Sequence, residues 1–316
     1  MTKMWSWLKL VLAIGILVAL GMRLGTDAFV SGLRSITGWS VLAALGIGLF
    51  TTVLCAARWC VVAGGLGLPL SLRAAVADYY RSLLLNAVLP AGVLGDVHRA
   101  VDHGRRSGNV GRGVRAVVFE RAAGAMVLVL IALGVLAALP VPGVDLAPDR
   151  VTVLGVIAVL ALAPLGLARV PAVRRWAAEA RAALFTRYAA PRVLALSAAT
   201  IAGHVALLLV AARVAGSHAS PAHLIPLAVV ALLVMGIPVN IGGFGPREAF
   251  LAVAFAATGL GAATGVATGV VFGVLAMISA LPGALTLLPG RSAFVKRPVA
   301  GEHVGQPVQH ELTLTA

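Results

Sequence analysis

Residues 79–100 read YYRSLLLNAVLPAGVLGDVHRA, and after a basic segment residues 117–121 read VVFER. Arg81, Asn86, Pro90, Gly95, Asp96 and Arg99 interrupt a stretch that is otherwise apolar. Glu120 and Arg121 then stand at the mouth of the next apolar run. Charges and helix breakers are costly in lipid. They persist there mainly where they face a protein interior or a water-filled cavity. A shorter stretch, GIPVNIGGFGPRE at residues 236–248, has the same character. The two stretches together are the candidate working site of a membrane protein.

Composition fixes the class. The chain has 316 residues, is 60% hydrophobic and only 11% charged, and has a mean hydropathy of +1.00. Soluble domains carry roughly a quarter charged residues, so this is an all-α polytopic integral membrane protein. The 36 glycines and 16 prolines fit, because membrane helices tolerate both. The formal charge of +14 does not point to nucleic acid, because the basic residues lie in short connections between apolar runs. Cys55 and Cys60 share one apolar run and read as small core residues, not as a disulfide or metal site. No His/Cys/carboxylate spacing resembles a metal site. There is no nucleotide loop, G-x-S-x-G elbow or GxGxxG after a strand. No catalytic residue, metal or cofactor is therefore expected.

Hydropathy predicts about eight membrane helices plus one re-entrant segment. Helix one covers about 5–22 and lacks a small-x-small cleavage pattern after it, which sets aside a signal peptide. Helix two covers 39–63. Ser71 is a plausible cap for a helix from Leu72. Residues 79–94, too short to cross and broken by Pro90 and Gly92, are re-entrant, and 95–115 is a basic loop. Helices three and four cover 116–139 and 151–168, with an amphipathic linker at 169–192. Helices five to eight cover 193–214, 224–238, 248–258 and 262–288. A disordered polar tail occupies 291–316. Residues 1–290 thus form one transmembrane domain in two halves, 1–168 and 193–290. Lys and Arg number 14 in the connections at 95–115, 169–192 and 291–297. They number 4 in those at 23–37, 140–150, 213–223 and 259–263. The positive-inside rule puts both termini in the cytoplasm, at the inner membrane.

Pro90, Gly95 and Arg99 each recur 148 positions later as Pro238, Gly243 and Arg247. Interrupted segments at matching places in two halves point to a transporter's substrate site. Pro90, Gly92, Gly95, Pro238, Gly242, Gly243 and Gly245 would shape the cavity by stopping helices and allowing close backbone approach. Broken helices expose N–H groups that favour anions, and guanidinium suits phosphate. Arg99, Arg121 and Arg247 are the expected phosphate ligands. Asp96, Glu120 and Glu248 would balance them or bind a cationic headgroup. The competing reading is that each Arg is neutralised locally and only locks the fold. Arg81 is favoured for the cavity over snorkelling, and Asn86 and Asn240 could bond freed backbone or ligand. His204 reads as a packing residue, and His98 and His103 as solvated.

These motifs, N-x-x-L-P-x-G-x-x-G-D-x-x-R (86–99), the following Glu120–Arg121, and P-x-N-I-G-G-F-G-x-R-E (238–248), resemble the transmembrane region of lysylphosphatidylglycerol synthases and the related flippase-like family. The resemblance covers roughly 5–289. Where that family often has G-G-D, this chain has Leu94–Gly95–Asp96. It implies translocation of an anionic or aminoacylated phospholipid between leaflets. It also implies no aminoacyl transfer by this chain, because only a short polar tail follows the membrane domain. Two other readings remain at this stage. One is a membrane partner of a separate glycosyl- or aminoacyl-transferase. The other is an intramembrane headgroup-modifying enzyme with Asp96 or Glu120 as base. The transport reading expects Arg247→Ala to abolish transport without loss of expression.

Overall fold

The longest apolar runs become the longest helices. The structure, a computed structural model, describes residues 27–88, 93–139, 171–236 and 245–286. These form α1 (Asp27–Arg34), α2 (Gly38–Gly65), α3 (Leu72–Val88), α4 (Leu94–Arg106) and α5 (Val110–Ala138). They continue with α6 (Pro171–Leu184), α7 (Ala189–Val214), α8 (Pro221–Met235), α9 (Pro246–Ala257), α10 (Ala262–Ala280) and a 3-10 turn (Leu281–Thr286). Four of them are long and apolar enough to cross a bilayer: α2, α5, α7, and α10 with its 3-10 extension. The protein is a multi-pass helical membrane protein. The expected helices one and four lie outside the described residues.

Two expectations need correction. Residues 95–115 are not a loop: Leu94–Arg106 is helical, and α5 starts at Val110, where Asn109 Oδ1 caps Arg112 N–H at 3.0 Å. The expected helices six and seven also fall short of spans. They are α8 and α9, with 15 and 12 residues, or about 22 and 18 Å against a hydrocarbon core of about 30 Å. The described helices therefore do not reach the expected count of eight spans.

Side-chain pairs give the helix directions. Asp78, early in α3, pairs with Arg106 at the end of α4. Further along, Ser82 Oγ donates to Asp96 Oδ1 at 3.1 Å, and Asn86 Oδ1 accepts from Gly95 N–H at 2.8 Å. So α3 and α4 are an antiparallel hairpin, with the end of α4 against the first half of α3. A Cβ on Gly95 would lie 2.1 Å from the Ser82 carbonyl oxygen, so only glycine fits where α4 begins. Arg99 and Glu120 pair between α4 and α5, and Glu120 is the eleventh residue of α5. At 1.5 Å per residue this puts the start of α4 about 15 Å along the long helix.

The second half has a related arrangement. A Cβ on Gly265 would meet the Leu251 carbonyl at 2.2 Å, and one on Gly269 would meet Glu248. α9 therefore runs antiparallel to α10, and its buried start lies about 10 Å along that helix. Long helix, short helix, break, short helix, long helix is the order in both halves: α2–α5 and α7–α10. At the centre, α2 and α7 pack antiparallel through Thr51 against Gly203, Cys55 against Thr200, and Arg58 against Ser197. Small residues carry such contacts in lipid, where apolar surface alone gives no drive for helices to associate.

Candidate functional site

Arg58 is the only ionisable side chain of α2 apart from its two cysteines, and it is buried. An isolated buried guanidinium is expensive, so it must find partners. Its Nε donates to Glu120 Oε1 at 3.0 Å, Nη2 reaches the same oxygen, and Nη1 donates to Ser197 Oγ at 3.0 Å. Tyr79 Oη donates to Glu120 Oε1 at 3.2 Å. Arg99 Nη2 donates to Glu120 Oε2 at 3.2 Å and to Asp96 Oδ1 at 2.9 Å. Arg121 Nη2 sits 2.8 Å from each oxygen of Asp96. Asn86 Nδ2 donates to Asp96 Oδ2 at 3.3 Å. The result is one continuous chain, Arg58–Glu120–Arg99–Asp96–Arg121, drawn from α2, α4 and α5. Its three guanidiniums and two carboxylates leave one net positive charge.

Arg99 is clamped rather than available. It is 1% exposed, and its guanidinium carbon lies 4.5 Å from the Trp59 ring centroid and 4.2 Å from that of Tyr79. Its Nε and Nη1 have no hydrogen-bond partner among the described residues, and the two ring faces hold the cation instead. Glu120 is fully buried. Arg121 differs: its side chain is 45% exposed, and Asp96 is the only acceptor it reaches among the described residues.

Beside this chain lies a cavity of about 790 Å³. Its polar lining comes from Arg58, Asn86, Asp96, Arg121, Thr200 and His204. The remaining walls are mainly aliphatic, with Val97, Val117 and Leu128 among them. Such a space is large enough for a headgroup. It is apolar with a few fixed polar groups, so a bound anion would meet a charge already held in place.

The expected site residues separate into groups. Asn86, Asp96 and Arg121 line the cavity, while Arg99 and Glu120 stand behind it as the clamp. Gly95 sets the approach of α4 to α3. Arg81 lies elsewhere: Nη2 donates to the Thr286 carbonyl at 3.1 Å and Nη1 lies 3.6 Å from Asp78, tying α3 to the 3-10 turn. Arg247 and Glu248 form a buried pair at the start of α9. Arg247 stacks over Phe272 at 5.0 Å and touches Met235, a residue of the cavity lining. Glu248 Oε2 accepts from Gly245 N–H at 2.6 Å, and Gly245 has φ +129°, a conformation that favours glycine. Pro90, Gly92, Pro238, Asn240, Gly242 and Gly243 lie outside the described residues.

Four residues were missed or misread. Arg58 and Thr200 were not singled out, although a lone arginine inside an apolar run is itself a signal. His204 lines the cavity, with Nδ1 donating to the Thr200 carbonyl at 2.8 Å. His103 is not solvated: it is 2% exposed, with its ring edge-on to Trp59 at 5.2 Å. Its amphipathic helix, read as a loop, had hidden this. Among the described residues no group of His, Cys, Asp or Glu could hold a metal.

No curated protein matches this chain, and no solved structure does. Residues 6–283 match the family model described as the lysylphosphatidylglycerol synthase TM region. With nearly the whole membrane domain covered, the chain belongs to the family of the lysylphosphatidylglycerol synthase transmembrane region.

Proposed function

We propose that the protein moves a phospholipid headgroup between leaflets, with Arg121 as the cation that meets the phosphate. The observation that carries this is the cavity. Its walls are largely aliphatic, it adjoins a fixed ion chain of net charge +1, and Arg121 is the member of that chain with exposed donors. Guanidinium suits phosphate, and a preset charge lowers the cost of organising the site when the headgroup arrives. Apolar walls suit the acyl and glycerol portion of a lipid better than a free ion. Family membership supports a role in lipid metabolism or translocation.

The ion chain argues against Asp96 or Glu120 as a catalytic base. Glu120 already accepts from Arg58, Arg99 and Tyr79, and Asp96 from Arg99, Arg121, Ser82 and Asn86. Carboxylates saturated by cations are weak bases.

The test is headgroup accessibility in liposomes. The purified protein is reconstituted with fluorescent anionic or aminoacylated lipid, and an impermeant quencher is added. Quenching beyond the outer-leaflet fraction, lost in Arg121→Ala, is the expected result. No protein-dependent quenching for any lipid, with or without ion gradients, would overturn the reading and leave a partner of a separate transferase as the better account. Arg121 is the better target than Arg247, because removing Arg247 strands Glu248 in a buried position and threatens the fold.

A further inference from the structure

α7 is an apolar spanning helix with mean hydropathy 2.2 over its most apolar window, yet it carries Ser197, Thr200 and His204 at helical spacing. All three turn to the same side. Ser197 accepts from Arg58, and Thr200 Oγ1 lies 3.8 Å from the Cys55 thiol. The His204 ring follows, lining the cavity with Thr200. Seven residues of helix put His204 about 10 Å along the axis from Ser197. The polar lining thus extends from the ion chain along α7 and ends on an imidazole.

That imidazole has an assigned tautomer. A carbonyl oxygen can only accept, so Nδ1 carries the proton toward Thr200, and Nε2 keeps a lone pair. The charged groups that line the cavity are committed. Arg58 stays charged, and Arg121 and Asp96 hold each other. The charged groups that act on His204 are two cations, Arg58 from α2 and Arg121 from α5, and the titratable Cys55 of α2 shares the cavity lining. α10 has no ionisable residue, and the only one on α8, His223, lies at its far N-terminal end. His204 is therefore the member of the lining that can take up a proton without breaking an existing ion pair.

We propose that His204 is a proton-binding site of this cavity, and that a proton taken on Nε2 binds cooperatively with an anionic headgroup. The inference rests on the proposed headgroup reading and adds a second ligand to it. Protonation from solvent raises the local charge from +1 to +2, with no other group required to change. By linkage, whatever factor the proton adds to anion affinity, the anion adds to proton affinity. A proton gradient would then bias headgroup occupancy toward the acidic side, giving a driving force where no nucleotide loop exists.

The experiment uses full-length protein in detergent and dihexanoyl phosphatidylglycerol, a short-chain soluble anionic lipid, as probe. Affinity is measured by calorimetry at about pH 5.5 and about pH 8. One added unit charge at roughly 10 Å predicts binding on the order of tenfold tighter at the acidic pH. The dependence should vanish in His204→Gln and persist in His103→Gln, whose ring is buried against Trp59 and does not line the cavity. Binding that is equally tight at both pH values, or a dependence that survives in His204→Gln, overturns the proton site alone. No binding at either pH overturns the anion-cavity reading and the proton site with it. Loss of the folded protein in His204→Gln, read by size-exclusion profile, would also overturn the inference unless His204→Asn folds and lacks the dependence.

Discussion

Glu120 is the residue on which the ion chain depends. It is fully buried and receives two guanidiniums and a phenol. Glu120→Gln keeps the shape but removes the charge, leaving Arg58 and Arg99 undercompensated. Breaking a buried pair this way costs about 3–5 kcal/mol. A large fall in thermal stability in detergent is expected, well beyond that for Arg121→Ala, whose side chain is half in the open. Equal melting temperatures for the two variants would mean that the chain is not a structural clamp. Tyr79→Phe is a finer probe. It keeps the ring face over Arg99 but removes the hydrogen bond to Glu120, worth about 1.5–3 kcal/mol for a charged acceptor. Tyr79→Leu loses the ring as well and should be worse, by about 0.5–2 kcal/mol from the lost cation–π contact. No further loss from Phe to Leu would leave only the hydroxyl as important.

At the scale of elements, hydropathy made α2, α5, α7 and α10 legible to within a few residues at most ends, because a long apolar run admits one structure in lipid. It failed at α4. The segment LGDVHRAVDHGRR carries so many charges that it reads as a loop, yet Gly95, Arg99, Ala100, His103 and Gly104 recur at helical spacing and form its buried face. A charged residue counts as polar in any such pattern, and Arg99 and His103 are buried only because distant rings cover them. The site was half legible for the same reason. Asp96 and Arg121 advertised themselves by position, whereas their partner Arg58 comes from a helix far away in sequence, which no local spacing reveals. Glycines show what the packing of elements demands. Gly95→Ala would drive a Cβ into the α3 backbone, whereas a Cβ at Gly134 in α5 meets nothing within 4 Å. Gly95→Ala should cost at least about 1–3 kcal/mol and loosen α4 from α3. Gly134→Ala should be neutral or gain up to about 1 kcal/mol. Chemical denaturation in mixed micelles compares the two. A Gly95→Ala protein as stable as its parent would show that α4 can shift freely.

For the whole molecule, the sharpest consequence of the hairpin geometry is topological. The Asp78–Arg106 pair joins the end of α4 to the first half of α3, and Arg81 ties α3 to Thr286 at the end of the 3-10 turn that follows α10. Chain entering at α3 must therefore leave at α4 on the side where it came in, which is also the side where α10 ends. α5 then carries it across. α8 and α9 are each too short to span, and they follow α7, which runs antiparallel to α2. The second hairpin would then enter from the opposite face, and short helix pairs dipping in from both faces would bring two breaks to mid-depth, as in transporters built from inverted repeats. The prediction is read from single cysteines, placed in a background without Cys55 and Cys60, and labelled by an impermeant thiol reagent in right-side-out and inverted vesicles. Arg73→Cys and Arg105→Cys, flanking the first hairpin, should label from one side, and His218→Cys, ahead of the second, from the other. The positive-inside bias assigns the first pair to the cytoplasm. Arg73 and Arg105 labelling from opposite sides would mean that the first pair crosses the bilayer, and the inverted arrangement would fail with it.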